Sequence, residues 1–290
     1  MSSQLDASTP LELLVAGQSG FARRAWRSPT LVAGCILTGL IALAAILAPV
    51  LSPYNPEHQD LYNILAGFSS KHLLGTDELG RDEFSRLLFA ARTDLQVGVL
   101  AILFPFCFGS IVGTLAGYYG GLVDGVVSRV VDVVIAFPFY VLVIALVFVV
   151  GTGTRGIYVA FAVADWIVYA RAMRATTLVV REHDYVAAAR VGGLGDLRVL
   201  VRHVLPNTIT QAIVYAMNDI VLVIVAVVTL GYLGLGIQPP TADWGAMISD
   251  GQQFLTTHAA LATIPGLAVA LTGLGLSLIG DGLADVLRPR

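Results

Sequence analysis

The chain alternates between long apolar runs and short polar segments. Apolar runs of about 20 residues occur six times, and an α-helix of about that length crosses the ~30 Å hydrocarbon core of a bilayer. We therefore predict an all-α polytopic membrane protein with six transmembrane helices. The predicted spans cover residues 31–51, 95–118, 126–150, 157–173, 208–236 and 259–283.

The composition supports this prediction. Hydrophobic residues make up 56% of the chain and charged residues 13%, with a mean hydropathy of +0.79. A soluble globular protein is thereby excluded. Cys35 and Cys107 both lie within apolar runs, which indicates a packing role rather than a disulfide or a metal site.

The distribution of positive charge predicts which polar segments are cytoplasmic. Of the 17 Lys and Arg residues, five lie in predicted external segments (Lys71, Arg81, Arg86, Arg92 and Arg155) and the other 12 lie at cytoplasmic positions, as the positive-inside rule expects. Both termini are therefore predicted to be cytoplasmic. Residues 1–29 form a cytoplasmic segment and residues 30–290 one transmembrane domain, with an external loop at about 52–94 and a cytoplasmic loop at about 175–207.

The external loop is rich in charged residues between Asp77 and Arg86. Acidic residues in pairs are compatible with catalysis or metal binding, but no further ligand set accompanies them. A short solvated amphipathic helix explains the pattern, with Phe84, Leu87 and Leu88 facing the protein.

Two features within the spans indicate helix packing and polar contacts. Gly109, Gly113 and Gly117 recur every four residues, which predicts one helix face for close packing.

Asp165, Asn218 and Asp219 lie inside predicted spans, where an ionised carboxylate costs ~3 kcal/mol or more. Either Asp219 lines a translocation pathway and contacts a cationic group such as a peptide amino terminus, or it makes a structural hydrogen bond.

The cytoplasmic segment 182–207 predicts two short helices joined by a glycine elbow. The first carries Tyr185, Ala188 and Ala189 on one face, and the second runs from Asp196 to His203. The apolar face of the second helix comprises Leu197, Leu200, Val201 and Val204. Asp196 is the expected N-cap and Pro206 the expected stop. A small apolar face beside arginines suits a groove on another protein, and an interfacial helix on lipid headgroups is the alternative.

An ATP-binding site is not expected in this chain. A phosphate-binding loop needs Gly-Lys-Ser/Thr, but the only lysine, Lys71, lies between Ser70 and His72. The five histidines are scattered, and neither a metal site nor a nucleophilic grouping is predicted. We expect no enzyme activity and no cofactor. A proton-coupled transporter using Asp165 or Asp219 and a membrane scaffold remain as alternative functions.

The segment AAARVGG followed by HVLPN resembles the EAA loop of ABC-importer permeases. Ala188, Ala189, Gly193, Leu205 and Pro206 match its pattern, while Ala187 occupies the position of its leading Glu. The resemblance implies that this loop is the coupling helix that docks into a cleft of an ATPase subunit. The residues predicted for the ATPase-coupling loop are the motif positions Ala188, Ala189, Gly193 and Pro206, together with Tyr185, Arg190 and Arg202 from the helix faces of the loop.

Four further segments resemble the dipeptide/oligopeptide/nickel permease family, and specifically its C-type subunit. They are HLLGTDELGRDEFSRLLFAART, AGYYGGLVDGVVSRVVDVVIAFP, GYLGLGIQPPTADWGAMISDG and LIGDGLADVLRPR. The region VAVVTLGYLGLG lacks a Glu that family members often carry. The resemblance implies a type I ABC-importer permease fold in the cytoplasmic membrane of a bacterium. Short peptides are favoured over nickel, because no His or Cys cluster lies in the spans.

The same resemblance implies a set of partners. These are a homologous second permease, two ATPase subunits that bind ATP and Mg, an extracytoplasmic solute-binding protein and the lipid bilayer, with no nucleic acid. ATP-driven movement of the loop would alternate access between the two sides of the membrane. Arg190 is expected to add a charge pair at the ATPase contact. Gly193 is expected to resist replacement, because a bulky residue would block the elbow.

Overall fold

The computed structural model describes residues 25–287, and most of this segment is helical. The helices are α1 (Pro29–Ile46), α2 (Ala48–Leu51), α3 (Glu83–Tyr119), α4 (Gly121–Ile135), α5 (Phe139–Val150), α6 (Thr154–Ala164), α7 (Trp166–Val180), α8 (Asp184–Val191), α9 (Asp196–Val199), a π-helical turn (Leu200–Val204), α10 (Leu205–Tyr232), α11 (Trp244–Gln252) and α12 (Ala260–Leu287). Within residues 25–287, strand-like pairing is limited to an isolated antiparallel bridge between Thr76 and Asp82.

Five helical segments are long and apolar enough to cross a membrane, and a sixth span is broken. The five are α1, α3, α6 with α7, α9 through α10, and α12. Helices α4 and α5 pass the same test only together, and they are bent by 88°. The all-α polytopic fold is thus confirmed, with six spans in the described residues if the bent pair counts as one.

The prediction of a continuous third span over residues 126–150 is wrong. Helix α4 ends at Ile135, and α5 begins only after Pro138, which occupies its N-cap position with ψ 131°. A proline has no backbone N–H and disfavours helical conformation in the residue before it. The sequence therefore breaks the helix at this proline despite the apolar residues on both sides.

Helix α3 begins earlier than predicted, so the polar segment before it ends at residue 82. Asp82 caps the helix, because its Oδ2 accepts hydrogen bonds from the Ser85 backbone N–H at 2.9 Å and from Ser85 Oγ at 2.6 Å. The predicted separate, solvated helix is wrong as well. Arg81 and Arg86 are 6% and 3% exposed, and the Asp77 carboxylate lies 2.6 Å from Arg81 Nε and 3.5 Å from Arg86 Nε.

The glycine stripe of α3 packs directly on α7, as predicted. A methyl group added to Gly109, Gly113 or Gly117 would meet the backbone carbonyl oxygens of residues 166, 170 and 174, respectively. These carbonyls also recur every four residues, so the bare face of one helix follows one face of the other. Close backbone approach of this kind maximises van der Waals contact between membrane helices.

Helix α11 is fixed to the first part of α3 by Trp244, which is 1% exposed. Its backbone N–H donates to Asp94 Oδ2 at 2.9 Å, and its Nε1–H donates to the Leu87 carbonyl at 3.3 Å. Helix α11 also packs on α10 and α12. The segment between α10 and α12 is therefore part of the folded core.

The second helix predicted in the cytoplasmic loop is the beginning of a longer one. Helix α9, the π turn and α10 run on without a break from Asp196 to Tyr232. Gly195, not Asp196, is the N-cap residue, and Pro206 lies inside the helical run instead of stopping it. The Leu205 N–H bonds to the Leu200 carbonyl five residues back. This wider π turn accommodates a proline that cannot donate a hydrogen bond.

Candidate coupling surface

Helix α8 ends in a glycine elbow, as the sequence predicted. Gly193 has φ +81°, a left-handed conformation that is common after helix ends and that favours glycine. The Leu194 N–H donates to the Ala189 carbonyl at 3.2 Å across this turn. No heavy atom of residues 25–287 lies within 4 Å of a Cβ placed on Gly193. The expected obstruction by a bulky side chain is therefore wrong, and the constraint lies in the backbone.

The buried side of α8 packs in a small apolar cluster, which is here called the loop core. It consists of Tyr118, Val180, Val186, Val199, Leu200 and Val204. Val186 and Val204 are fully buried, and Ala189 packs against the same cluster. Because the loop core takes residues from α3, α7, α8 and the start of the α10 run, it connects the loop with three spans.

Several side chains of α8, α9 and the π turn are exposed, and this set is here called the docking face. It consists of Tyr185, Ala188, Val191, Leu197, Val201 and Arg202. Val191 is 90% exposed, Leu197 70% and Val201 54%. The predicted four-residue apolar face is thus divided, because Leu200 and Val204 point into the loop core. Exposed apolar side chains beside arginines are typical of a protein contact surface.

The remaining residues predicted for this site lie at different depths. Pro206 is exposed, like Arg202, whereas Ala189 is half-buried. The Arg190 side chain is engaged within the chain, because its guanidinium carbon lies 5.0 Å from the centre of the Tyr118 ring. The Tyr118 hydroxyl donates to Asp196 Oδ1 at 2.9 Å. Tyr118 could not be identified from the sequence, because Arg190 and Asp196 lie far from it along the chain.

Two of the three predicted intramembrane polar residues come together. Asp165, at the junction of α6 and α7, is 3% exposed, and Asp219 of α10 is 4% exposed. Their carboxyl groups are neighbours, and Tyr169 donates a hydrogen bond of 2.7 Å to Asp219 Oδ2. Asn218 is exposed instead, and its Nδ2 donates to the Val214 carbonyl at 3.2 Å.

A groove between α4 and α7 was not predicted from the sequence. Its cavity measures about 650 Å³, and its polar lining includes Ser128, Asp132 and Arg171. Arg129 and Asp132 approach to 3.9 Å on the exposed side of α4. The arginines at the end of span four were visible in the sequence, but the groove depends on how α4 folds back beside α7.

Charged side chains cluster at the start of α3, where Asp77, Arg81 and Arg86 are buried and Glu78 and Asp250 are partly exposed. This ion cluster consists of Asp77, Glu78, Arg81, Arg86 and Asp250. The shortest ion pair joins Arg81 Nε to Asp77 Oδ2 at 2.6 Å. Burial raises the pKa of Glu78 and of Asp250 above the usual range of a carboxyl group.

Asp243 lies beside this ion cluster. Burial raises its pKa to about 6, against hydrogen bonds from the backbone N–H groups of Ala246 and Gly245 that lower it. Within residues 25–287, no three His, Cys, Asp or Glu side chains are placed to hold a metal ion. Asp250 Oδ2 of α11 lies 3.6 Å from Arg81 Nη2 and 3.9 Å from Arg86 Nη2, so the ion cluster joins α11 to the start of α3.

Comparison with known proteins gives matches over nearly the whole chain. Residues 109–290 match the family described as binding-protein-dependent transport system inner membrane component. Residues 19–67 match the N-terminal TM domain of oligopeptide transport permease C.

Individual relatives are similar over the same length. The dipeptide transport system permease protein DppC of Alkalihalophilus pseudofirmus is 36% identical over 259 residues, which cover 89% of this chain and 85% of that protein. The glutathione transport system permease protein GsiD of Pectobacterium atrosepticum is 38% identical over 271 residues, 93% of this chain and 90% of that protein. GsiD of Escherichia coli is 38% identical over 271 residues, 93% of this chain and 89% of that protein.

Proposed function

This chain belongs to the binding-protein-dependent transport system inner membrane components, as an ABC-importer permease of the dipeptide, oligopeptide and nickel group, and we propose that it translocates short peptides by alternating access driven by separate ATPase subunits. It is an inner-membrane transport subunit and not an enzyme. The similar proteins are named for dipeptide and glutathione transport. Glutathione is itself a tripeptide, so both names support a short peptide as the cargo.

The observation that carries the proposal is the position of the docking face above the loop core. Tyr185 and Ala188 are exposed, while Val186 of the same helix is fully buried against residues of α3, α7 and the α10 run. A partner that binds the exposed side of α8 therefore holds an element packed on three spans. Movement of that partner is transmitted as movement of the spans.

The energy source in this proposal is a pair of ATPase subunits that bind ATP and Mg. This chain contributes no phosphate-binding loop, since Lys71 lies outside the Gly-Lys-Ser/Thr context. The docking face is then cytoplasmic, as are both termini. Residues 1–29 form the cytoplasmic N-terminal segment, residues 30–290 form the transmembrane domain, and the segment before α3 faces outward.

Transport follows from different contacts in the two ATPase states. ATP binding closes the ATPase dimer, and the docked α8 moves with it. An equilibrium between inward-open and outward-open arrangements shifts only if the partner binds them with different affinity. A homologous second permease supplies the other half of the pathway, and a solute-binding protein delivers the peptide from outside.

The intramembrane polar residues are assigned two roles in this proposal. Asp219 accepts a hydrogen bond from Tyr169 and is buried within the chain, which favours a structural contact between α7 and α10. Asp165 is its buried neighbour. Asn218 is exposed and is the candidate for contact with the pathway or with a neighbouring subunit.

A second candidate function is favoured by the neighbouring carboxyl groups of Asp165 and Asp219. Two buried carboxyls side by side cannot readily both be ionised, and a proton-coupled transporter would use such a pair as its proton carrier. This alternative requires no ATPase, and it leaves the exposed docking face without a role.

Copurification tests the proposal. The tagged chain, extracted from its native membrane in mild detergent, is expected to recover a second permease and ATPase subunits. Ala188→Arg places a charge on the docking face and should reduce recovery of the ATPase while the second permease is retained. Thr256→Arg, at an exposed position after α11, serves as the control. Recovery of the wild-type chain alone, after chemical cross-linking to prevent dissociation, would contradict the proposal.

A further inference from the structure

The end of α3 is inserted into the cytoplasmic loop. Tyr118 is 5% exposed and belongs to the loop core, whereas its neighbour Tyr119 is 50% exposed. The two aromatic rings meet edge to face at 5.2 Å. Two adjacent tyrosines at the end of one helix therefore have different surroundings, and only the first contacts the loop.

Three polar contacts hold this end of α3, and together they form the Tyr118 clamp. The Tyr118 hydroxyl donates to Asp196 Oδ1 at 2.9 Å. The Arg190 guanidinium carbon lies 5.0 Å from the centre of the Tyr118 ring, within the range of a cation–π contact. Arg181 Nη1 donates to the Gly117 carbonyl at 2.8 Å, where the partial negative charge of the helix C-terminus favours a cation.

The clamp reaches both sides of the glycine elbow. Arg190 is near the end of α8 and Asp196 is the first residue of α9, so the Tyr118 ring and hydroxyl bridge the two short helices across Gly193. A change in the angle between α8 and α9 would break one of the two contacts or displace Tyr118.

Tyr118 is also rigidly connected to the membrane-spanning part of the chain. Gly109, Gly113 and Gly117 of the same helix pack against the backbone of α7. Arg174 of α7 in turn bonds Asp124 at the start of α4, with Nη2 to Oδ2 at 2.7 Å. Displacement of Tyr118 therefore displaces the α3–α7 pair as one body and acts on α4 next to the groove.

We propose that Tyr118 is a positioning residue that transmits movement of the ATPase-docked loop to the α3–α7 helix pair. This inference rests on the proposed function, because it assumes that an ATPase moves α8. The hydrogen bond from the Tyr118 hydroxyl to Asp196 ties α9 to the end of α3. The contact of Arg190 with the Tyr118 ring holds α8 in place over that ring. Loss of the hydroxyl keeps the apolar packing of the loop core but removes the polar link between α9 and the end of α3.

The test compares two hydroxyl deletions in the complete complex, which is isolated with its copurifying subunits and reconstituted in proteoliposomes with the solute-binding protein. Tyr118→Phe keeps the ring and removes the bond to Asp196. Tyr119→Phe removes a neighbouring exposed hydroxyl and is the matched control. We expect Tyr118→Phe to reduce peptide uptake per ATP hydrolysed by about fivefold, a factor typical of the loss of one hydrogen bond. The control should match the wild type.

A double-mutant cycle distinguishes loss of the bond between Tyr118 and Asp196 from a general weakening of the loop. Asp196→Ala removes the other partner of the same bond, so Tyr118→Phe combined with Asp196→Ala should lower the uptake-to-hydrolysis ratio no further than the stronger single variant. Additive losses, or an unchanged ratio in Tyr118→Phe, would overturn the proposal for Tyr118. A wild-type complex that takes up no peptide with ATP would instead contradict the proposed function.

Discussion

Gly113 of α3 lies directly against the backbone carbonyl of Ala170 in α7, so that a methyl group on this glycine would overlap the carbonyl oxygen. Gly109 and Gly117 make equivalent contacts one turn away on either side. Helices α3 and α7 are therefore held at a separation that only glycine permits. This contact makes them one rigid body, and in the proposed function the ATP-driven movement of the loop acts on that body.

The first prediction concerns this separation. Gly113→Ala should destabilise the protein in detergent by about 1–3 kcal/mol, because the added methyl group forces two backbones apart. Thermal unfolding of the purified chain in detergent measures the loss. Gly39→Ala in α1 is the matched control, since no heavy atom of the described residues lies within 4 Å of its Cβ position. Equal stability of the two variants would contradict the close contact.

The second prediction concerns the elbow of the loop. Gly193→Val should uncouple ATP hydrolysis from uptake, because a β-branched residue at φ +81° carries about 1–3 kcal/mol of backbone strain and shifts α8 relative to α9. Hydrolysis and uptake are measured together in proteoliposomes.

Two further substitutions test the cause of that effect. Gly195→Val is the control, because φ at Gly195 is −66° and space is open around both glycines. Gly193→Asp should be milder than Gly193→Val, since Asp tolerates the left-handed conformation better. Coupling that is equal in Gly193→Val and Gly195→Val would show that the backbone conformation of the elbow is unimportant.

The third prediction concerns the hydrogen bond between α7 and α10. Tyr169→Phe leaves the buried Asp219 carboxyl without its hydroxyl donor and should cost about 1–3 kcal/mol of stability. Tyr215→Phe is the matched control, because the Tyr215 ring packs edge to face on Tyr169 at 5.1 Å and its hydroxyl is outside this bond.

Asp219→Asn distinguishes the two roles considered for this residue. It retains an oxygen acceptor for Tyr169, so that a structural role predicts near-normal assembly and uptake. Uptake that is lost in Asp219→Asn while the complex still assembles would instead indicate contact with the cargo.

The fourth prediction concerns pH and Asp243. The pKa of the Asp243 carboxyl is about 6 in the folded protein, and its ordinary value of 3.8 is taken for the unfolded chain. The unfolded chain therefore releases this proton at lower pH than the folded chain does. The stability that Asp243 contributes is highest below pH 4, falls as the pH rises to about 6, and is constant above that.

Asp243→Asn should abolish this pH dependence while it keeps a side-chain oxygen for the cap of α11. The stability difference between Asp243→Asn and the wild type should grow in favour of the variant by about 2–3 kcal/mol between pH 4 and pH 7. Asp60→Asn is the control. Hydrogen bonds from Asn63 and Tyr62 lower the pKa of Asp60, so the stability difference between this variant and the wild type should change with pH in the opposite direction. A difference that does not change with pH for Asp243→Asn would contradict its burial.

The features that were predicted correctly from the sequence are those that depend on local periodicity. Hydrophobic run length predicts the five continuous spans, and the four-residue glycine spacing predicts a packing face. The paired glycines after α8 predict the elbow. Each of these depends on which residues fall on one side of a single helix, and neighbouring residues determine this directly.

The features that could not be predicted depend on contacts between distant segments. Arg81 and Arg86 have the same local pattern whether water or buried acids satisfy them, and only the fold brings Asp250 close. A proline usually stops a helix, but the π turn that precedes Pro206 accommodates it here. Tyr118 and Arg171 gain their importance from α8 and α4, and no spacing in the sequence indicates those contacts.

The central claim is that separate ATPase subunits drive this permease through the docking face. It is tested most directly by uptake of a labelled dipeptide or tripeptide into proteoliposomes that contain the copurified complex, with the solute-binding protein outside and ATP inside. We predict uptake that requires ATP, persists with a protonophore and is lost in Ala188→Arg. Uptake that continues without ATP and collapses with the protonophore would contradict the claim and favour a proton carrier at Asp165 and Asp219.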